Sequence, residues 1–182
     1  MQNGMPARKH PRLKGYDYSN AGAYFITFCV KNGKEILGKP AAPPPPGITS
    51  WPYIELSEYG KIVDKHINRA NALNHIIMID KYVIMPSHVH MIVFIQSHAE
   101  TENDAMKQKC HTSASIPSLI RSIKTMVTKE IGHSLWQSSY HDHIIRDEED
   151  YQRRWRYIDE NPIKWIAERA ASAFPIIGNV TP

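Results

Sequence analysis

Apolar positions along the chain change their period several times, and each change marks an element. AYFITFCV, Ala23 to Val30, is rich in aromatic and β-branched residues and predicts a strand. Ser57 then opens a stretch in which Ile62, Val63, Ile67 and Ala70 fall on one helical stripe, so a capped helix is predicted to about Asn71. Ile76 to Met85 and His88 to Gln96 read as two apolar strands, and Pro86-Ser87 between them favours a hairpin. Leu119, Ile123, Val127 and Ile131 recur every four residues and stop at Gly132, which predicts a second helix with a glycine end. Tyr140 to Asp147 predicts a fourth strand. A third helix is expected from Asp147 or Glu148 to Asn161, because Pro162 follows and disfavours helix for the residue before it. The order β-α-β-β-α-β with one more helix predicts an α+β, ferredoxin-like sandwich: an antiparallel sheet, two helices on one face and an additional C-terminal helix.

The interruptions predict loops. KPAAPPPPGITSWP, Lys39 to Pro52, loses backbone donors to its prolines and reads as a loop of polyproline character, favoured as a surface insertion over a docking motif. Residues 97–115 are polar and aperiodic and read as a long mobile loop. With a basic arm over residues 1–15, the 182 residues fit a single domain whose core spans about 12–165.

Composition narrows the partners. The formal charge is +4, spread along the chain at Arg8-Lys9, Arg121, Lys124 and Arg153-Arg154, which favours a polyanion. Cys29 and Cys110 are too few for a disulfide framework, and the first fifteen residues lack an apolar stretch of the signal-peptide kind. No apolar run approaches the roughly 18 residues that span a bilayer. A cytoplasmic protein with no membrane association is expected.

Candidate chemistry begins with two H-x-H pairs. In YVIMPSHVHMIVF, His88 and His90 share one face of a strand while Val89 and Met91 face the other. Neutral imidazoles a pleat apart suit one metal ion, and they equally suit a pair of hydrogen-bonded sheet histidines. His141 and His143 lack the flanking apolar run, and a structural or DNA-facing role is expected of them. In WRYIDENP, Tyr157 and Asn161 lie at i and i+4, on one side of a helix. Asn161 has a carbonyl oxygen to offer a cation and Tyr157 a phenol oxygen, although packing against the core is the commoner fate of a helical tyrosine.

These residues, with LWQSSYHDHIIRDEEDYQRRWRYIDENPIKW and RLKGYDYSNAGAYFITFC, resemble the single-tyrosine HUH transposases, and most closely the REP-associated tyrosine transposase branch. The resemblance runs from about Arg12 to Trp165. It implies that His88 and His90 bind a divalent metal, that Tyr157 is the nucleophile and that Asn161, one turn later, assists the metal. Ser87 stands where many relatives carry asparagine, and Asn161 where insertion-sequence members carry glutamine; the second departure favours the REP-associated branch.

The implied activity is cleavage and rejoining of single-stranded, hairpin-bearing DNA through a 5′-phosphotyrosine link. Imidazoles alone suit zinc or copper, but phosphate and amide oxygens harden the site, and the resemblance implies magnesium or manganese. Nucleoid association is expected when DNA is bound, as a monomer or a homodimer. Arg12, Lys14, Lys124, Arg146, Arg153 and Arg154 are candidate DNA contacts, joined by Arg8, Lys9 and Arg156, although each single cation reads more readily as a solvated surface charge; Tyr16, Tyr18 and Trp136 are candidate stacking platforms for unpaired bases, with core packing an equal reading of Trp136. Two other readings stay open: a DNA-binding protein without turnover, and a metal phosphoesterase that uses water.

Overall fold

The computed structural model describes residues 15–41, 52–96 and 114–173. Strand β1, Gly22–Cys29, leads through a short 3₁₀ turn into β2, Gly38–Pro40, and β3, Ile54–Leu56 follows. Helix α1, Glu58–Leu73, precedes the hairpin of β4, Ile77–Met85, and β5, His88–Ile95; α2, Ile116–Ile131, β6, His141–Ile145, and α3, Glu148–Ala173, complete the order. The main sheet runs β4-β5-β1-β6, every pair antiparallel. That is the ferredoxin-like arrangement the alternating elements predict.

Strand alternation sends two different sets of side chains to the two faces. Tyr24, Ile26 and Phe28 of β1 join Val89, Met91 and Val93 of β5 in a large core against α1 and α2. Phe25, Ile92 and Ile145 point the other way and form a small cluster with Ile158 of α3. Two helices therefore seal one face, and a single helix covers part of the other.

Local chemistry fixes the helix ends. Ser57 Oγ accepts from the Gly60 amide at 3.1 Å and donates to the Ile36 carbonyl at 2.6 Å, so the cap of α1 also ties it to the segment before β2. A Cβ on Gly60 would lie 2.0 Å from the Leu37 carbonyl oxygen, which explains glycine in the first turn. The Leu37 amide in turn donates to Pro86 O at 2.9 Å and the Val30 amide to Ser87 O at 2.8 Å. Both carbonyls of the hairpin turn are thus held just before His88. At the other end of the sequence pattern, Gly132 closes α2 in the left-handed region with φ 85°.

The register of β4 slips between Ile79 and Lys81, where Asp80 is the extra residue of a bulge. Ile77 and Ile79 face the large core before it and Ile84 after it. Lys81 turns toward α3, where it pairs with Asp159 at 2.6 Å under the Trp155 ring, 3.1 Å from its centre. The Tyr151 hydroxyl donates to Asp80 at 2.8 Å. The bulge thereby gives α3 two polar holds on an edge strand.

Three expectations need correction. Helix α3 does not stop at Asn161; it runs through Pro162 to Ala173. Proline removes one intrahelical hydrogen bond, leaving the Ile158 carbonyl without its usual donor. Beyond it, Arg169 pairs with Glu35 and lies 4.1 Å over the Trp165 ring, contacts that favour continuation. Lys39 and Pro40, expected in a loop, pair with Ile54 and Glu55 in a two-stranded ladder, where a proline needs no donor on its free edge. Ser115, expected at the end of a loop, is the N-cap of α2. The rest of the proline-rich stretch, the basic arm up to residue 14 and residues 97–113 lie outside the described residues. Among the described residues no helix is long and apolar enough to cross a membrane.

Candidate active site

His88 and His90 stand on the face of β5 turned to α3, opposite Cys29 and Thr27 of β1. Their rings are 4.6 Å apart at 73°. His90 Nδ1 is hydrogen-bonded to Thr27 Oγ1 at 2.7 Å, and His88 Nδ1 to Ser87 Oγ at 3.1 Å. Engaging Nδ1 in this way leaves Nε2 as the nitrogen available to a ligand, the usual outer support of a metal-binding histidine.

His90 Nε2 is buried and has no hydrogen-bond partner. A buried polar atom left so costs about 1–3 kcal/mol, and a cation at this point would remove that cost. Burial, and then the neighbouring His88, push the His90 pKa down to about 3; burial also lowers that of His88. Both rings are neutral at pH 7, as metal ligation requires. Among the described residues no group of three or more histidine, cysteine, aspartate or glutamate side chains could hold a metal. The two imidazoles therefore fit a divalent ion only as part of a donor set completed by amide or phosphate oxygen.

Tyr157 comes to this pair from α3. Its ring meets His90 edge-on at 5.1 Å and 74°, and Phe25 at 5.8 Å and 82°, while Phe25 stacks on His90 at 5.3 Å and 20°. The tyrosine remains 40% exposed, which leaves its phenol open to a solvent-borne substrate. Asn161, one turn further along the same side of the helix, is buried. The rival phenols are engaged elsewhere. Tyr151 is bound to Asp80, with its pKa raised to about 12 by burial and that hydrogen bond, and Tyr140 is buried in the large core.

The second histidine pair faces the same side of the sheet, since His141 lies opposite Thr27 and His143 opposite Phe25. His143 Nε2 donates to Asp150 Oδ2 at 2.6 Å, and Asp150 is itself buried in the first turn of α3. His141 is exposed.

The cationic candidates are scattered. Arg154 pairs with Asp150 at 3.3 Å, and Arg153 with Glu149 at 2.9 Å and Asp150 at 3.7 Å. Arg146 is exposed. Lys124 lies on α2, across the sheet from the histidines, and donates to the Gln137 and Ser139 carbonyls at 2.9 and 2.8 Å. Arg8, Lys9, Arg12 and Lys14 lie outside the described residues.

The stacking expectation for Tyr18 is corrected, and of the two readings of Trp136 core packing is the one observed. Tyr18 is buried with its hydroxyl on Asp142 at 2.5 Å, and Trp136 is buried edge-on to Phe28 at 5.0 Å. Neither offers a face to a base. Sequence reasoning also passed over Thr27, Phe25 and Asp150. Thr27 carried a signal, as the one aliphatic hydroxyl on β1 and on the strand face opposite Tyr24. The importance of Phe25 and Asp150 appears only with strand register and helix placement.

No protein-family model matches the chain. An uncharacterized protein of Haemophilus influenzae is 32% identical over 182 residues, an alignment covering 89% of this chain and 92% of the other. Among solved structures, that of a REP-associated tyrosine transposase bound to a REP hairpin superposes with a TM-score of 0.58 over 94% of each chain. At 20% identity that likeness speaks for the fold.

Proposed function

The chain belongs to one family with the Haemophilus influenzae protein and has the fold of a REP-associated tyrosine transposase, and from that premise we propose that it is a single-tyrosine DNA transposase acting on single-stranded, hairpin-bearing DNA. The observation that carries the reading is the buried, unpartnered Nε2 of His90 with the open Tyr157 ring 5.1 Å from its own. A core histidine pair of the ordinary kind would have both nitrogens satisfied.

In this reading His88, His90 and Asn161 are the residues that would hold magnesium or manganese, and the ion would supply Lewis-acid polarisation of the scissile phosphate. Thr27 and Ser87 keep the two imidazoles oriented by holding Nδ1. Tyr157 Oη attacks phosphorus and loses its proton to water; the Oη–P bond forms, the P–O3′ bond breaks and the departing 3′-oxygen takes a proton from water. The product is a 5′-phosphotyrosine and a free 3′-hydroxyl. Attack by another 3′-hydroxyl on the same phosphorus reverses the sequence and joins strands. One ester is exchanged for another, so no nucleotide is consumed.

The test is cleavage of end-labelled single strands bearing hairpins, in magnesium, with covalent adducts resolved under denaturing conditions. Wild type should form an adduct that peptide mapping assigns to Tyr157 through a 5′-phosphate. Tyr157→Phe keeps the ring, should bind the strands as wild type does and should yield no adduct. Binding without cleavage by wild type would favour a DNA-binding protein without turnover. Cleavage retained by Tyr157→Phe would favour a phosphoesterase that uses water, and either result overturns the proposal.

A further inference from the structure

Arg154 stands three residues before Tyr157 on α3, so the two side chains are neighbours on one side of the helix. Its guanidinium lies 5.5 Å from the centre of the Phe25 ring, the ring that also stacks on His90 and meets Tyr157. One aromatic plate is therefore shared by the cation, the phenol and the imidazole. Arg154 Nε is fixed to Asp150 Oδ1 at 3.3 Å. Among the described residues the hydrogen bond of its guanidinium is made through Nε, which leaves the terminal nitrogens without one.

Asp150 is 5% exposed, and a carboxylate so buried is tolerated only when its charge and lone pairs are met. One oxygen takes Arg154 from the helix and the other takes His143 from β6 at 2.6 Å. The carboxylate thus joins strand and helix at one point, and the arginine held there keeps its outer fork uncommitted.

We propose that Arg154 presents its terminal nitrogens to the non-bridging oxygens of the phosphate attacked by Tyr157, and that Asp150 and His143 are its positioning residues. The inference rests on the transposase reading given above. A guanidinium fork matches two oxygens of one phosphate. Its charge stands where negative charge accumulates as the fifth bond to phosphorus forms. Arg154 gives up no proton; the Oη–P and P–O3′ bonds are made and broken as before.

The experiment uses the full chain in magnesium and follows a single turnover on hairpin-bearing strands whose scissile linkage is either a phosphodiester or a methylphosphonate. The methylphosphonate replaces one non-bridging oxygen with a methyl group and removes its charge. On the phosphodiester, Arg154→Gln should cleave about 100-fold more slowly than wild type, the size of effect seen when one donor to developing charge is removed. Arg154→Lys should lose less. On the methylphosphonate the difference between wild type and Arg154→Gln should largely vanish.

Because each preparation meets both linkages, a partly unfolded variant slows both alike and leaves their ratio untouched. An unchanged ratio in Arg154→Gln overturns the inference. Asp150→Asn and His143→Gln should each slow phosphodiester cleavage and should add nothing in combination with Arg154→Gln; losses that multiply overturn the positioning role. If wild type forms no adduct with either linkage, the transposase reading falls and this inference with it. If wild type is active and its linkage ratio equals that of Arg154→Gln, this inference alone falls.

Discussion

The two H-x-H pairs invite comparison because the fold makes them near equals. Both face α3 from the same sheet, on strands flanking β1, so that Thr27 has His90 on one side and His141 on the other. Their fates differ because α3 crosses them with different residues. Its acidic first turn delivers Asp150, which takes His143 Nε2. Its middle delivers Tyr157, whose ring edge meets His90 and leaves Nε2 unpartnered. Spacing along a strand puts imidazoles on one face; what the opposite element offers decides whether they are structural or available to a ligand.

The sharpest way to break this contrast is to remove each pair in turn. His88→Ala and His90→Ala should abolish cleavage while leaving single-strand binding largely intact, since binding energy comes mainly from phosphate contacts. His143→Ala should keep measurable cleavage. Equal loss at His90 and His143, in the labelled-strand assay, would dissolve the distinction. A smaller effect is expected at Asn161. Asn161→Ala should raise the magnesium concentration for half-maximal cleavage by about tenfold, the lower end for loss of a supporting metal contact, whereas Asn161→Gln should retain part of the activity. An unshifted magnesium titration in the alanine variant removes Asn161 from the donor set.

The smallest effect is on stability. The His90 pKa of about 3 lies far below that of an exposed imidazole, so between about pH 6.5 and pH 3 the unfolded chain binds a proton that the folded chain refuses. The stability associated with neutral His90 is complete above about pH 6.5 and is lost as pH falls toward the folded value. Thermal unfolding of wild type should therefore weaken on acidification from pH 7 to pH 5 more than that of His90→Gln. Identical slopes would mean that this imidazole is more solvated in the free protein than its burial indicates.

Much of this is legible in the sequence, for identifiable reasons. The stripe of Leu119, Ile123 and Val127 and the glycine at position 132 specify α2 almost residue by residue. His88 and His90 announce a shared face because Val89 and Met91 are so plainly the buried partners. The bulge at Asp80 was hidden because IIMIDKYVIM is apolar on both sides of it, and a period-two pattern cannot show where the period slips. The passage of α3 through Pro162 was hidden because a local rule about proline says nothing of Glu35, far away in sequence, which pairs with Arg169. Thr27, Phe25 and Asp150 escaped notice for the same reason: their roles depend on register and crossing, which are properties of pairs of elements.

The length of α3 bears on amide exchange near Tyr157, the proposed nucleophile. A helix ending at Asn161 would put Tyr157 in its last turn, where carbonyls lack donors and the backbone frays. In the observed helix Tyr157 is an interior residue, with Tyr151 fastened to Asp80 behind it and Arg169 to Glu35 ahead. Backbone opening at Tyr157 then requires release of a whole segment rather than loss of a terminal turn, and its amide belongs with the slowly exchanging ones. The phenol is left to move on its own side-chain torsions above a still backbone. In the proposed reaction, a displaced 3′-end returning to the same phosphorus would find the covalent link where it left it.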